Sequence, residues 1–307
     1  MKQVLLLGSN GYIGTRLRED LKDYKLTCVD SCWFDDPHID CIVRDYNTLE
    51  QSFIDKFDVI ILLAGHSSVK MCEGDLSNAF SNNVTNFVNL VSKIKKQKFI
   101  YASSSSVYGS VGGKTVGEQY YNFKPYNQYD ISKHTIDLYA VKSDIEYYGL
   151  RFGTVCGYSP LMRNDVMINS MTTSAFDNGH IKLYIKDIMR PILGLNDLSR
   201  SIKTIIECNN DNRGLYNLAS FNKTAEQIAY EVSEIINLPV IEYEADPTQL
   251  TNVKSQSKCY NFSISTKKFE RIFKFKFEDT VSSIAESIVK NYDILVQTNR
   301  GNIRKYV

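Results

Sequence analysis

The feature that most limits what this chain can become is a short apolar run that meets a glycine-rich turn. Val4, Leu5, Leu6 and Leu7 are apolar at every position, and Gly8-Ser9-Asn10-Gly11-Tyr12-Ile13-Gly14 follows at once. A run without polar alternation predicts a strand covered on both faces, as in a parallel sheet between layers of helices. After the turn, Ile13, Leu17 and Leu21 recur every four residues and predict a helix with one apolar stripe. Leu26 to Val29 predicts a second strand ending at Asp30, and Asp58 to Ala64 another. Behind the latter, Phe80, Val84, Phe87, Val91 and Ile94 predict one long helical stripe, and Phe99-Ile100-Tyr101 the next strand. Strand and helix alternate, which predicts a doubly wound α/β domain with right-handed crossovers.

From about residue 160 the rhythm loosens. Thr224 with Gln227 predicts a capping box that opens a helix striped by Ile228, Val232 and Ile235 and closed before Pro239. A last helix is expected near Thr280 to Val296, through Ile284 and Ile288. No Pro/Gly/Ser linker intervenes, so the second part is expected to pack against the first.

Charge narrows the partners. The chain has 307 residues with 36 Lys plus Arg against 35 Asp plus Glu, a net charge of +1. That balance lacks the electrostatic footprint of a nucleic-acid or anionic-membrane binder. Seven cysteines, at 28, 32, 41, 72, 156, 208 and 259, form no CxxC pair, which suits a reducing compartment. Only four apolar residues precede Gly8, too few for a signal-peptide core, so a cytoplasmic location is expected. The histidines at 38, 66, 134 and 180 show no metal-ligand spacing, and no metal is expected.

The glycine turn suggests a ligand. Glycines between a strand and a helix permit a tight turn and a close approach of backbone to a pyrophosphate, which the helix N-terminus stabilises. The spacing here is GxxGxxG. Asp30 lies 22 residues after Gly8, at the end of the second strand, where a carboxylate accepts hydrogen bonds from a ribose 2′-OH and repels a 2′-phosphate. NAD is therefore expected in preference to NADP. The plainer alternative is a turn beside a surface aspartate.

Tyr129 and Lys133 stand four apart, on one face of a helix expected after Pro125. Tyr120 and Lys124 share that spacing, but Lys124 abuts Pro125, which disfavours helix there. Ser103 to Ser106 lies at the end of a predicted strand, where doubly wound folds place ligands. A phenol serves as a base near pH 7 only when its anion is stabilised, which a lysine one turn away and an oxidised nicotinamide would both do. A serine hydroxyl would hold the reacting oxygen.

These motifs, in this order, resemble the extended short-chain dehydrogenase/reductase family of nucleotide-sugar epimerases and dehydratases. Gly8-x-x-Gly11-x-x-Gly14, with Tyr12 and Ile13, is similar to the family's phosphate turn, and Asp45-Tyr46 to its adenine-contacting acidic pair. Leu63-Ala64-Gly65 resembles the cofactor-lining end of the fourth strand, and Asn83-Val84 the helix asparagine. Ser103 to Gly109 resembles the catalytic-serine segment, with Ser104 three residues before Val107, and Tyr129-x-x-x-Lys133 the remaining pair. Leu150 to Pro160 is similar to the segment joining two lobes, and the stretches around Arg190 to Asp197 and Gly214 to Leu218 to the return into the first.

The resemblance implies a Rossmann-type NAD-binding domain over 1–160, with 196–220 returning to it, and a smaller α/β substrate-binding lobe over 161–195 and 221–307. It also implies a homodimer and a nucleotide-diphosphate sugar as substrate, contacted by Ser104, Asn169, Arg190, Arg163 and Lys258. Lys258 stands where an arginine is usual.

Departures from the pattern narrow the reaction. The family's 4,6-dehydratases carry an Asp-Glu pair where this chain has Ser105 and Ser106, so elimination lacks its acid and base. Where UDP-galactose 4-epimerases typically have an asparagine, this chain has Gly153-Thr154. The expected activity is C4 epimerisation through a transient 4-keto intermediate. One-way 4-dehydrogenation, 4-ketoreduction or dehydration is the alternative, and a non-catalytic dinucleotide sensor is the alternative from another class. Two further signals are set aside. Gly112-Gly113-Lys114-Thr115 has Tyr108 where a P-loop needs glycine, and Phe273-Lys274-Phe275-Lys276-Phe277 reads as a half-buried strand.

Overall fold

The computed structural model describes residues 1–33, 40–109, 111–243 and 260–299. In chain order its first seven strands are β1 (Gln3–Leu7), β2 (Lys25–Asp30), β3 (Cys41–Val43), β4 (Val59–Leu62), β5 (Lys98–Ser104), β6 (Thr115–Val116) and β7 (Tyr147–Phe152). The others are β8 (Thr154–Cys156), β9 (Ile181–Leu183), β10 (Met189–Gly194), β11 (Gly214–Leu218), β12 (Phe221–Thr224), β13 (Val240–Glu242) and β14 (Ser263–Ile264). Seven of them form one parallel sheet in the order β11-β7-β5-β4-β1-β2-β3. The winding reverses between β1 and β4, and such a switch point opens a crevice at the C-terminal ends of the strands.

Both faces of this Rossmann-type sheet are covered. Leu5, Leu7, Ile60, Phe99 and Tyr101 pack under the helices Asn86–Val91 and Gln128–Val141. Val4, Leu6, Ile61 and Ile100 face the helices Tyr12–Asp20 and Leu195–Glu207, whose Leu17, Leu198, Ile202 and Ile205 are fully buried. Burying each such side chain is worth about 1.5–3 kcal/mol, which is why the strands show no polar alternation.

A smaller α/β lobe sits on one side. Its β10 pairs with β8 in parallel and with β12 antiparallel. The helices Met167–Asn178, Ala225–Ile236 and Val281–Val289 bury Ile168, Ile228, Val232, Ile284 and Ile288 together. The Thr224–Gln227 capping box forms as spaced. Among the described residues no helix is long and apolar enough to cross a membrane.

Three expectations change. The long stripe through Phe80 is broken into helices Leu76–Phe80 and Asn86–Val91 by a π turn over Ser81–Thr85. The wider turn rotates the stripe, leaving Phe80 43% exposed while Val84, Phe87, Val91 and Ile94 stay buried. The last helix is two, Val281–Val289 and Tyr292–Asn299. Phe273 to Phe277 is not a strand. Phe273 ends the helix Lys267–Phe273, Lys274 turns left-handed at φ 49°, and Phe275 and Phe277 fold back onto Phe269. The three phenylalanines share one aromatic cluster instead of alternating between faces.

Candidate active site

The turn after β1 needs its glycines. Gly8 has φ +88°, and a Cβ there would lie 2.4 Å from the Ala64 nitrogen; one on Gly14 would lie 2.0 Å from the Gly8 oxygen. Gly11 precedes the helix Tyr12–Asp20 and no side chain caps its first turn, so the partial positive charge of the helix start stands at the turn. Beside it, Asp30 accepts the Asn10 N–H at 2.8 Å through Oδ2 and the Cys32 N–H at 2.7 Å through Oδ1. A close-approach glycine cradle, a helix N-terminus and a carboxylate at the next strand end fit a dinucleotide.

Ser104 ends β5, with its Oγ 2.8 Å from Ser106 Oγ. Asn127 caps the helix Gln128–Val141 by accepting the Asp130 N–H at 3.0 Å, and this start brings Tyr129 and Lys133 onto the face toward β5. Lys133 Nζ donates to the Ala102 carbonyl at 2.8 Å and lies 5.8 Å from the centre of the Tyr129 ring. Burial lowers the Lys133 ammonium to about 8. Burial raises the Tyr129 phenol to about 12, although a hydrogen bond with Ser104 and the charge of Arg163 pull it down. In the protein alone desolvation therefore wins, and the phenol keeps its proton at neutral pH. Tyr120, the competing tyrosine, packs in a ring cluster with Tyr108 and Phe123 and does not line the cleft.

The glycine turn, Asp30, Tyr46, Leu63, Ala64, Gly65, Ser104, Tyr129 and Lys133 line one cleft of about 340 Å³. Tyr12 and Ile13 line it too, and the Tyr12 hydroxyl donates to the Gly157 carbonyl at 2.8 Å. Across the cleft stand Thr154, Arg163, Val166, Arg190, Pro191, Tyr260 and Phe262. Arg163 holds Asp165 through Nε at 2.9 Å and Nη2 at 2.7 Å, and reaches the Ser67 carbonyl at 3.2 Å. The Arg190 guanidinium lies 5.7 Å from the Tyr260 ring centre, whereas Asp197 is paired with Arg200 at 2.8 Å.

Three expected contacts do not line the cleft. Asn169 is fully buried beneath it, accepting the Gly157 N–H at 2.8 Å and donating to the Tyr12 hydroxyl and the Arg163 carbonyl. Asn83, turned inward by the π turn, accepts the His66 N–H at 2.8 Å and donates to Ser132 Oγ at 3.2 Å. Asp45 is exposed and caps the short turn Tyr46–Thr48. Asn169 and Asn83 use these hydrogen bonds to hold neighbouring segments, and Asp45 accepts the Asn47 N–H at 2.9 Å through one oxygen. Lys258, His38 and Cys259 lie outside the described residues. Among the described residues no group of three His, Cys, Asp or Glu is placed to hold a metal ion.

Sequence reasoning missed Ser67, Trp33, Tyr260 and Phe262, which no local pattern marks as cleft-lining. It also missed a buried network behind Lys133. Arg151 donates to Asp137 at 2.7 Å and to the Tyr108 hydroxyl at 2.9 Å, and Tyr101 donates to Asp137 at 3.0 Å. Asp137 is one turn beyond Lys133, and its charge favours the protonated ammonium.

The family model described as NAD dependent epimerase/dehydratase matches residues 4–219. Protein CapI of Staphylococcus aureus is 26% identical over 174 residues, 54% of this chain and 52% of that protein, so the match spans about half the length of that relative. The crystal structure of UDP-glucuronic acid 4-epimerase from Bacillus cereus, in complex with UDP-glucuronic acid and NAD, has a TM-score of 0.79 at 19% identity, covering 96% of this chain and 99% of that one. TunA, an NAD dependent NDP-hexosamine 5,6-dehydratase involved in tunicamycin biosynthesis, has a TM-score of 0.80 at 15% identity, covering 96% and 98%. At these identities the likeness is one of fold.

Proposed function

The chain belongs to the NAD dependent epimerase/dehydratase family, and from that premise we propose that this NAD-dependent enzyme epimerises C4 of a nucleotide-linked sugar through a transient 4-keto intermediate. The observation that carries the reading is a convergence. Ser104, Tyr129 and Lys133 share one cleft with the glycine turn on one side and two arginines on the other.

Gly8, Gly11, Tyr12, Ile13 and Gly14 hold the pyrophosphate, Asp30 the adenosine ribose, and Tyr46 with Leu63 to Gly65 the surrounding wall. Asp45, Asn83 and Asn169 support these segments from behind. A bound NAD would supply hydride-transfer chemistry at C4 and, when oxidised, a positive charge that favours the phenolate. Tyr129 takes the proton of the C4 hydroxyl, Ser104 orients that oxygen, and Lys133 holds the cofactor ribose and favours the phenolate. Arg163 and Arg190 face the diphosphate, where guanidinium groups meet oxygens through charge-assisted pairs. Ser105 and Ser106 supply no carboxyl for elimination, which favours epimerisation over dehydration.

The reading assigns cofactor binding to 1–160 with 196–220, and substrate binding to the rest. It includes a homodimer, supported by Ile131, Leu138 and Val141 standing 37%, 56% and 47% exposed on the helix Gln128–Val141. It also includes a cytoplasmic location, which the free thiols of Cys28, Cys32, Cys41, Cys72, Cys156 and Cys208 suit.

The test is mass spectrometry of the protein incubated with NAD and UDP-, GDP-, CDP- and dTDP-sugars. An isomer of unchanged mass is expected. Loss of water would make the enzyme a dehydratase, and a change of two hydrogens a one-way oxidoreductase. NAD binding without turnover of any sugar would favour the sensor.

A further inference from the structure

Trp33 is the only tryptophan of the chain, and no step above uses it. It stands three residues beyond the end of β2, lines the cleft with Asp30 and Tyr46, and is 47% exposed. Its ring meets that of His66 edge to face, with centroids 5.2 Å apart and planes at 67°. His66 lies four residues beyond the end of β4. Because the sheet order is β4-β1-β2, a contact between the segments after β2 and after β4 crosses the end of β1. The turn that follows β1 is the glycine cradle.

The two rings are held differently. His66 is 5% exposed and fixed by the π turn over Ser81–Thr85. Its N–H donates to Asn83 Oδ1 at 2.8 Å, its carbonyl accepts from Asn83 Nδ2 at 3.0 Å, and its Nδ1 lies 3.3 Å from Asn82 Nδ2. The Asn82 carbonyl also accepts the Tyr46 hydroxyl at 2.8 Å, which ties the wall on the Asp30 side to the same turn. Trp33 follows a change of backbone direction. Cys32 is left-handed at φ 55° and gives its N–H to Asp30 Oδ1 at 2.7 Å, so the chain leaves the line of β2 just before the indole.

We propose that Trp33 covers the adenosine half of the cofactor, anchored on His66, and slows its release. Tryptophan is a highly buried residue type on average, and an indole half in water at a cleft is apolar area that a planar base would cover. The plainer account is an indole that rests on His66 to brace the loop after β2. That explains the ring contact but not the indole's place in the cleft wall, since a brace gains most by burying its ring. A cover also suits the proposed reaction. Epimerisation restores its cofactor, so turnover needs no release and a slow one costs nothing.

The inference rests on the proposed reading for the placing of adenosine at Asp30. The experiment measures ADP, NAD and UDP binding by calorimetry in the full-length protein freed of cofactor, as wild type, Trp33→Ala, His66→Ala and His66→Phe. Trp33→Ala is expected to weaken ADP and NAD alike by about thirtyfold, within the range of one lost base–aromatic stack. Most of that loss is expected as faster dissociation, followed for NADH by its own fluorescence. UDP affinity is expected to stay within about twofold. His66→Ala is expected to weaken ADP by about fivefold, and His66→Phe, which keeps a ring at the anchor, to hold it within about twofold. In the wild type, ADP is expected to quench the Trp33 emission and UDP to leave it unchanged.

Unchanged ADP affinity in a folded Trp33→Ala protein overturns the inference. So does tighter binding, which would mean that the indole fills the space instead of covering it. Equal losses of UDP and ADP would also overturn it, because the indole would then not be confined to the adenosine side. Should His66→Ala fail to fold, Trp33→Ala alone decides. Asp30→Ala tests the placing of adenosine separately: unchanged ADP affinity there overturns that part of the reading, and a loss confined to Trp33→Ala leaves the cover in place.

Discussion

The two walls of the cleft are built on different plans. The wall around the glycine turn is made largely of backbone, in short stretches at the ends of adjacent strands: the glycine turn after β1, Asp30 as the last residue of β2 and 63–65 after β4. The wall opposite is made of side-chain tips. Thr154, Arg163, Arg190 and Tyr260 come from segments that meet only because β10 pairs with β8 and the chain then returns. A backbone wall dictates residue type sharply, since a Cβ at Gly14 has nowhere to go, but it recognises only what the cofactor presents. A side-chain wall tolerates variation in order and spacing, and it chooses the substrate.

The largest effect is expected at the seam between the walls. Tyr129→Phe should lower turnover by about a thousandfold, within the range of a lost general base. NAD affinity should stay within about twofold, because the phenol is remote from the phosphate turn. Trp33, the only tryptophan and a cleft-lining residue, supplies a fluorescence signal for the NAD titration.

Next in size, Gly14→Val should weaken NAD by about a hundredfold, since the new side chain displaces the Gly8 carbonyl and with it the pyrophosphate cradle. Binding of UDP or another bare nucleoside diphosphate should change far less. Equal loss of both ligands in a folded variant would show that the walls are not independent.

Arg190→Ala is the converse. It should weaken the bare nucleoside diphosphate by about tenfold and raise the substrate KM comparably, with NAD affinity barely moved. Calorimetric titration of both ligands measures the contrast, and intact diphosphate binding would remove Arg190 from the site. Asp30→Ala should cost about tenfold of the preference for NAD over NADP, measured from the two affinities.

The smallest effect concerns Lys133. Its ammonium titrates near about 8 in the folded protein against 10.5 unperturbed, because burial penalises the charge. Between those values the unfolded chain binds more protons, so this residue's contribution makes stability rise with pH across that window and stay level below it. Lys133→Met should flatten that rise in Tm–pH scans of the cofactor-free protein. An identical slope in both proteins would place the proton elsewhere.

Local features were readable from residues alone. Val4 to Leu7 with Gly8 reads as a buried strand into a tight turn because each residue's backbone and burial needs are set by near neighbours. Thr224 and Gln227 read as a cap for the same reason, and Tyr129 with Lys133 share a face through helical spacing. Structure and expectation differ where a distant contact intervened. Asn169 has the chemistry of a diphosphate ligand, but Gly157, Tyr12 and Arg163 consume its hydrogen bonds. The stripe from Phe80 to Ile94 is helical in period, yet a π turn breaks it and draws Asn83 toward His66 and Ser132.

The order of residues by itself determined the parallel α/β sheet, the glycine cradle, its acidic neighbour and the serine, tyrosine and lysine beside them. Those depend on steric limits and periodicities that act over a few residues. Tertiary structure alone decided which side chains face Tyr129 and how burial raises its proton affinity while lowering that of Lys133. Desolvation and hydrogen bonding are properties of a filled volume, and segments more than a hundred residues apart fill this one.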